Sequence, residues 1–296
     1  MAKVRALVLA GNGTNCERET AHACRLAGAD EVHIVFVWDL LAGKASLGDY
    51  NFLVLPGGFM DGDDLGAAKA GAHRFKHGKT PAGESLFDQL QTFIHGPKLV
   101  LGICNGFQLM VKLGLIPNPA ALLSDDDDDH KTPAQTPSPQ EATVWANDSG
   151  RFEDRWVHLT ADKSSPCVFT QGTQKINKLD LPIRHGEGKV IFGSLDGLKR
   201  ALDNHLVPLY YASPDTGRPT EKYPENPNGS PRGIAGICDP SGRLFGLMPH
   251  PEAYSHFTNH PRWSRERSIR DSSGGEEGAG LLLFKNGVDW LHRYAD

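Results

Sequence analysis

Apolar runs that end in glycine turns alternate with helix-spaced amphipathic segments through the first 110 residues, and this alternation constrains the fold more than any other feature. "VRALVLAG" (4–11) reads as a buried strand and "NCERETAHACRLAGA" (15–29) as an amphipathic helix closed at Gly28. "EVHIVFVW" (31–38) reads as a second strand, "YNFLVLPGG" (50–58) as a third, and Leu99-Val100-Leu101 as a fourth. Alternation at this spacing predicts a mostly parallel central sheet with helices on both faces, because parallel neighbours need crossovers that helices supply. Ligands in such sheets gather beyond the carboxyl ends of the strands. The "PGG" and "GICNG" turns both fall at that edge.

The pattern breaks at Pro117. Residues 117–143 hold five consecutive aspartates, Asp125–Asp129, followed by "HKTPAQTPSPQEA". So little apolar surface predicts a solvated, low-complexity insertion within a single domain spanning 1–296. A divalent-metal site on the aspartates is disfavoured, since consecutive side chains of an extended chain point in alternating directions. Beyond it, "RWVHLTA" (155–161), "LDLPIRHGEGKVIF" (179–192), "VPLYYA" (207–212), "GIAGICD" (233–239) and "LFGLMPH" (244–250) predict a mostly antiparallel strand extension. Residues 221–233 read as loop, residues 255–278 as irregular or mobile, and 279–295 as a closing helix.

Composition removes several classes of function. A net charge of −5 gives no electrostatic basis for binding nucleic acid or an anionic membrane. The five cysteines are an odd number, widely spaced and without a CxxC pair, which argues against a disulfide framework or structural zinc and suits a reducing cytoplasm. The run Ala6 to Ala10 is shorter than the roughly 7–15 residues of a signal-peptide core. No apolar stretch approaches the roughly 20 residues that span a bilayer. "GAHRFKHGKT" (71–80) hints at a phosphate loop, but Gly71 and Gly78 are six residues apart where that motif has four. His256 and His260 could share a helix face, yet the glutamate of a zinc-helix motif is missing.

The chemistry concentrates in three short motifs. Gly102-Ile103-Cys104-Asn105-Gly106 has the form of a nucleophile elbow at a strand-to-helix turn, with a small buried core cysteine as the alternative. A helix N-terminus there would favour the thiolate. His250-Pro251-Glu252 places an imidazole and a carboxylate two residues apart, on one side of a proline-stiffened chain. Glu252 could then orient one ring nitrogen and leave the other for the thiol, although a surface pair would look the same. Pro56-Gly57-Gly58-Phe59 could aim backbone N–H groups at an oxyanion, or could be a plain turn.

Taken together and in this order, "PGGF", "GICNGFQ" and "PHPE" resemble a class I (Cys-His-Glu triad) glutamine amidotransferase, a flavodoxin-like α/β fold. "GNGTNCERE" (11–19), "LPGGFMDGDDLGAAK" (55–69), "NDSGRFEDRWV" (147–157), "PIRHGEGK" (182–189) and "NPNGSPRGIAGICD" (226–239) narrow it to the glutaminase components of phosphoribosylformylglycinamidine synthases. The resemblance lapses in the acidic insertion and in 255–278, and "GNGTNC" departs from the plainer Gly-Ser-Asn-Cys expected. It implies that Cys104 attacks the side-chain amide of glutamine, that His250 and Glu252 complete the triad, and that N–H groups near Gly58 and Asn105 hold the oxyanion. Gly57 and Phe59 would serve with Gly58 in oxyanion and substrate binding, Gln108 would contact glutamine one turn past Cys104, and His185 would lie near the pocket or a partner interface. No cofactor or metal is implied in this chain. ATP and magnesium would belong to a separate synthetase subunit that takes up the ammonia. Another amidotransferase, a stand-alone cysteine amidohydrolase of this fold, and a non-enzymatic subunit are the competing readings; the intact triad speaks against the last.

Overall fold

The first strand, β1 (Arg5–Ala10), is buried along nearly its whole length, as are β3 (Phe52–Leu55) and β4 (Leu99–Ile103). Their continuous apolar character, without alternation, marks strands covered on both faces. The computed structural model describes residues 2–118, 140–173, 179–270 and 275–295. Between these strands run α1 (Glu17–Leu26), α2 (Val37–Leu41), α3 (Lys69–His77) and α4 (Leu86–His95), with β2 (Glu31–Phe36) at the sheet edge, and α5 (Asn105–Leu113) follows β4. Local chemistry sets several ends. Ser85 and Asp88 form a reciprocal capping box at the start of α4, and Gly114 closes α5 in the left-handed conformation.

The second half supplies β5 (Ala142–Ala146), β6 (Glu153–Ala161), β7 (Leu179–His185), β8 (Glu187–Phe192), α6 (Leu195–Asp203), β9 (Leu209–Tyr211), β10 (Ile234–Cys238) and β11 (Leu244–Leu247). Helices α7 (Trp263–Arg270) and α8 (Leu281–Tyr294) follow. Nine strands form one sheet in the order β2-β1-β3-β4-β11-β10-β9-β6-β7. The pairs β2-β1, β1-β3, β3-β4 and β4-β11 are parallel, and the remaining pairs are antiparallel. This is the mixed architecture that the residue pattern predicts. α8 buries Leu281, Leu283, Phe284, Val288 and Leu291. Its Gly287 comes so close to Phe169 and Leu99 that a Cβ there would meet Phe169 at 2.9 Å.

Four details differ from the sequence reading. Val37 and Trp38 open α2 rather than ending β2. The run 179–192 breaks at Gly186, and β8 leaves the main sheet to pair with β5 in a two-stranded ribbon. β11 is parallel to β4 because it inserts beside it, next to the antiparallel β10; side-chain period carries no information about strand direction. Within 255–278, Trp263–Arg270 is helical. The phosphate-loop look-alike lies in α3, with Gly78 as its C-terminal cap. Most of the acidic stretch, including Asp125–Asp129, lies outside the described residues, while Ala142 and Thr143 at its far end already belong to β5.

Candidate active site

The pairing of β4 with β11 assembles the first two motifs. Ile103 and Leu247 are register partners in parallel strands, so the residues that follow each leave the sheet at the same edge. The Cys104 N–H donates to the Leu247 carbonyl at 2.8 Å. Cys104 then turns the chain into α5 with φ 49° and ψ −103°, a conformation that non-glycine residues rarely adopt. The flanking glycines have a steric reason. A Cβ at Gly102 would meet Met110 Sδ at 2.5 Å, and one at Gly106 would run into the Leu55 carbonyl at the end of β3. The elbow is therefore clamped between two strand ends with Cys104 buried at its apex.

His250 and Glu252 are buried together. His250 Nδ1 lies 2.6 Å from Glu252 Oε1, and the His250 N–H donates to the Pro182 carbonyl at 2.8 Å. His250 Nε2 is buried with no hydrogen-bond partner among the described residues. Burial opposes a charge on this ring, but the Glu252 carboxylate and then Cys104 outweigh it and hold the imidazolium well above its usual range. An imidazolium held by a carboxylate through one nitrogen, with its second nitrogen beside a thiol, is an arrangement that can activate a sulfur nucleophile.

The glycine loop is laced to residues 11–16. Asn15 and Cys16 N–H groups donate to the Gly57 carbonyl, and the Phe59 N–H donates to the Gly13 carbonyl at 2.8 Å. Gly58 has φ 139°, and a Cβ there would meet Asn15 N at 2.7 Å. Gly58 faces Thr14 between those bonds, so its own N–H has no acceptor among the described residues. Phe59 is different: its N–H is already engaged and its ring is exposed. Gly57 has a second task, because a Cβ there would press on His250 Cε1 at 2.6 Å.

Asn105 and Gln108 tie this loop to the antiparallel half. Asn105 Oδ1 accepts from the Met60 N–H at 3.0 Å, Asn105 Nδ2 donates to Gln108 Oε1 at 3.0 Å, and Gln108 Nε2 donates to the Glu187 carbonyl at 2.6 Å. The Asn105 N–H, first in its helix, has no intrahelical acceptor. Although β7 is the last strand of the sheet, its Arg184 carbonyl lies 3.6 Å from Cys104 Sγ and its Pro182 carbonyl holds His250. The antiparallel extension therefore curls back over the elbow and brings His185 with it. His185 is buried, bonds Asn147 Oδ1 through Nδ1 at 3.0 Å, and fills space that a Cβ at Gly188 would take. Burial, reinforced by His250, lowers its pKa to about 3, so it is neutral.

One site residue was not singled out from sequence. Cys16 Sγ sits 3.9 Å from His250 Nδ1, half-buried at the end of the loop that follows β1. Its position just past the carboxyl end of a parallel strand was the available signal. All five cysteines are free. His256 and His260 do not converge: the first faces Glu276 and the second Asp180.

Residues 3–291 match the CobB/CobQ-like glutamine amidotransferase domain. The chain belongs to that family. Among relatives of this amidotransferase, the phosphoribosylformylglycinamidine synthase subunit PurQ of Dehalococcoides mccartyi is 40% identical over 293 residues, covering 99% of this chain and 100% of that one. The phosphoribosylformylglycinamidine synthase of Drosophila melanogaster is 36% identical over 98% of this chain, which corresponds to only 20% of that longer protein. A chain of the solved PurLQS structure from Thermotoga maritima superposes with a TM-score of 0.64 at 27% identity, covering 98% of this chain and 100% of that one.

Proposed function

We propose that this amidotransferase is the glutaminase subunit of a phosphoribosylformylglycinamidine synthase. It would hydrolyse glutamine and pass ammonia to a separate synthetase subunit that converts formylglycinamide ribonucleotide to the amidine with ATP and magnesium. The observation that carries the chemistry is the buried 2.6 Å contact from His250 Nδ1 to Glu252, beside a cysteine held in a left-handed elbow. Full-length similarity to a PurQ subunit supports the substrate and pathway, and the likeness to PurLQS supports the synthetase partner. A cytoplasmic setting fits five free cysteines, and among the described residues no helix is long and apolar enough to cross a membrane.

In this reading His250 Nε2 already holds the proton taken from Cys104, as the raised imidazolium requires, and the Cys104 thiolate attacks the side-chain amide carbon of glutamine. Gly58 and Asn105 N–H groups stabilise the oxyanion. His250 then protonates the departing ammonia, leaving a glutamyl thioester, and next takes a proton from the water that releases glutamate. Glu252 keeps the ring oriented and offsets its positive charge. Gln108 and Asn105 shape the glutamine pocket, with His185 as a neutral wall. Because unused hydrolysis wastes nitrogen, the partner is expected to gate turnover.

The test compares glutamate release by the chain alone with release in the presence of the synthetase, ATP and formylglycinamide ribonucleotide. Stimulation with formation of the amidine product is expected, and Cys104→Ala should abolish both. Full activity alone, with no complex formed, would mark an independent amidohydrolase instead.

A further inference from the structure

Cys16, His250 and Glu252 bring a thiol, an imidazole nitrogen and a carboxylate oxygen within 4.8 Å of one another. Among the described residues no other group of three such side chains converges in this way. Sγ and Nδ1 are 3.9 Å apart, and Nδ1 and Oε1 are 2.6 Å apart. Zinc bonds of about 2.3 Å to sulfur and about 2.0–2.1 Å to nitrogen and oxygen place tetrahedral ligands roughly 3.3–3.6 Å from each other. The sulfur already stands near that separation, and the carboxylate has to withdraw by less than about 1 Å. Glu252 Oε2 is buried without a partner, so the carboxylate has unused lone pairs at this point. Cys16 is only half-buried, which leaves a side of the cluster open to an incoming ion.

We propose that these three side chains bind a thiophilic divalent cation such as zinc, and that the bound ion reversibly inhibits the glutaminase. Zinc would replace the protons on the Cys16 thiol and on His250 Nδ1, releasing both to solvent. Glu252 would then ligate the metal instead of accepting from His250. The ring would lose the contact that orients it, and its remaining Nε2 proton could leave only by making a metal-bound imidazolate, so it could no longer carry a proton from Cys104 to the departing ammonia. The binding half of the proposal stands on geometry alone, whereas the inhibitory half rests on the catalytic role given above to His250.

The full-length Cys104→Ala protein separates the two halves, since it removes the nearby nucleophile and needs no activity. Titrated with zinc against a chromophoric chelator, it should bind one equivalent. Adding Cys16→Ser should weaken binding at least tenfold, the order lost when a metal site is damaged even outside its ligands (about 10–100-fold). Thiolate-to-cadmium absorption should likewise appear in Cys104→Ala and be lost in the double variant, with circular dichroism confirming that both are folded. In the complex with the synthetase, zinc should suppress glutamate release and a chelator should restore it. Relative to its own zinc-free rate, Cys16→Ser should need at least about ten times more zinc for the same inhibition. Equal zinc affinity with and without Cys16, or binding that vanishes with Cys104→Ala alone, overturns the proposal. An enzyme that released no glutamate would count against the functional reading but leave the chelator titration decisive.

Discussion

Gly57→Ala tests whether room for the imidazole, rather than backbone flexibility, is what position 57 provides. The added Cβ would stand 2.6 Å from His250 Cε1, 3.3 Å from Nδ1 and 3.4 Å from Cys16 Sγ. Carbon atoms rest at about 3.5–4.0 Å, so the ring must retreat by roughly 1 Å. Gly57 does not need a positive φ, and alanine therefore strains no backbone dihedral. A displacement of about 1 Å at a reacting group costs about 100-fold in rate, equivalent to about 2.7 kcal/mol of barrier. Overpacking of this kind destabilises the fold by about 1–3 kcal/mol. The assay is glutamate release by the complex, with kcat and KM separated, beside thermal unfolding. The expected result is kcat down about 100-fold with KM little changed in a folded protein. A kcat within threefold of wild type would refute the argument that His250 is confined by this glycine.

Three further outcomes are expected. Glu252→Gln removes the carboxylate that holds the imidazolium up, so kcat should fall roughly 10²–10⁴-fold, as when an orienting acid is lost from a triad, and the pH limb set by His250 should move to lower pH. A pH–rate profile that coincided with that of wild type would remove Glu252 from the mechanism. His185 has its pKa lowered to about 3 in the fold but titrates near about 6.5 when unfolded. Between these values the unfolded chain takes up a proton that the folded one refuses, so stability falls with falling pH by up to about 1.4 kcal/mol per pH unit; denaturant titrations should show His185→Gln flattening that slope. Asn118 Nδ2 donates to Glu141 Oε1 at 3.3 Å, so the two ends of the low-complexity stretch lie side by side. Deleting 120–138 with a short Gly/Ser bridge should leave glutaminase rates unchanged, because loop length contributes little to stability; a large loss in the folded deletion would show that the insertion reaches the site or the partner.

Local physics was enough for the residue types. The buried runs of β1, β3 and β4, the glycines on either side of Cys104 and the two-residue spacing of His250 and Glu252 are written in nearest-neighbour patterns. Steric exclusion and side-chain period express such patterns wherever they occur. What the residue order could not say is which edge meets which. That β11 slots in parallel beside β4, bringing residues 104 and 250 to one sheet edge, depends on pairing across some 140 positions, and alternation of side chains is blind to strand direction. The same holds for Cys16, whose approach to His250 rests on the loop after β1 being hydrogen-bonded to Gly57. Gly57 itself reads as a donor-loop glycine in sequence, but the fold makes it the space beside a ring. The curl that carries Arg184 and His185 from the last strand of the sheet back over the thiol is likewise a property of the whole sheet. It arises from the accumulated twist of successive strands, a sum over many pairings that no single segment contains.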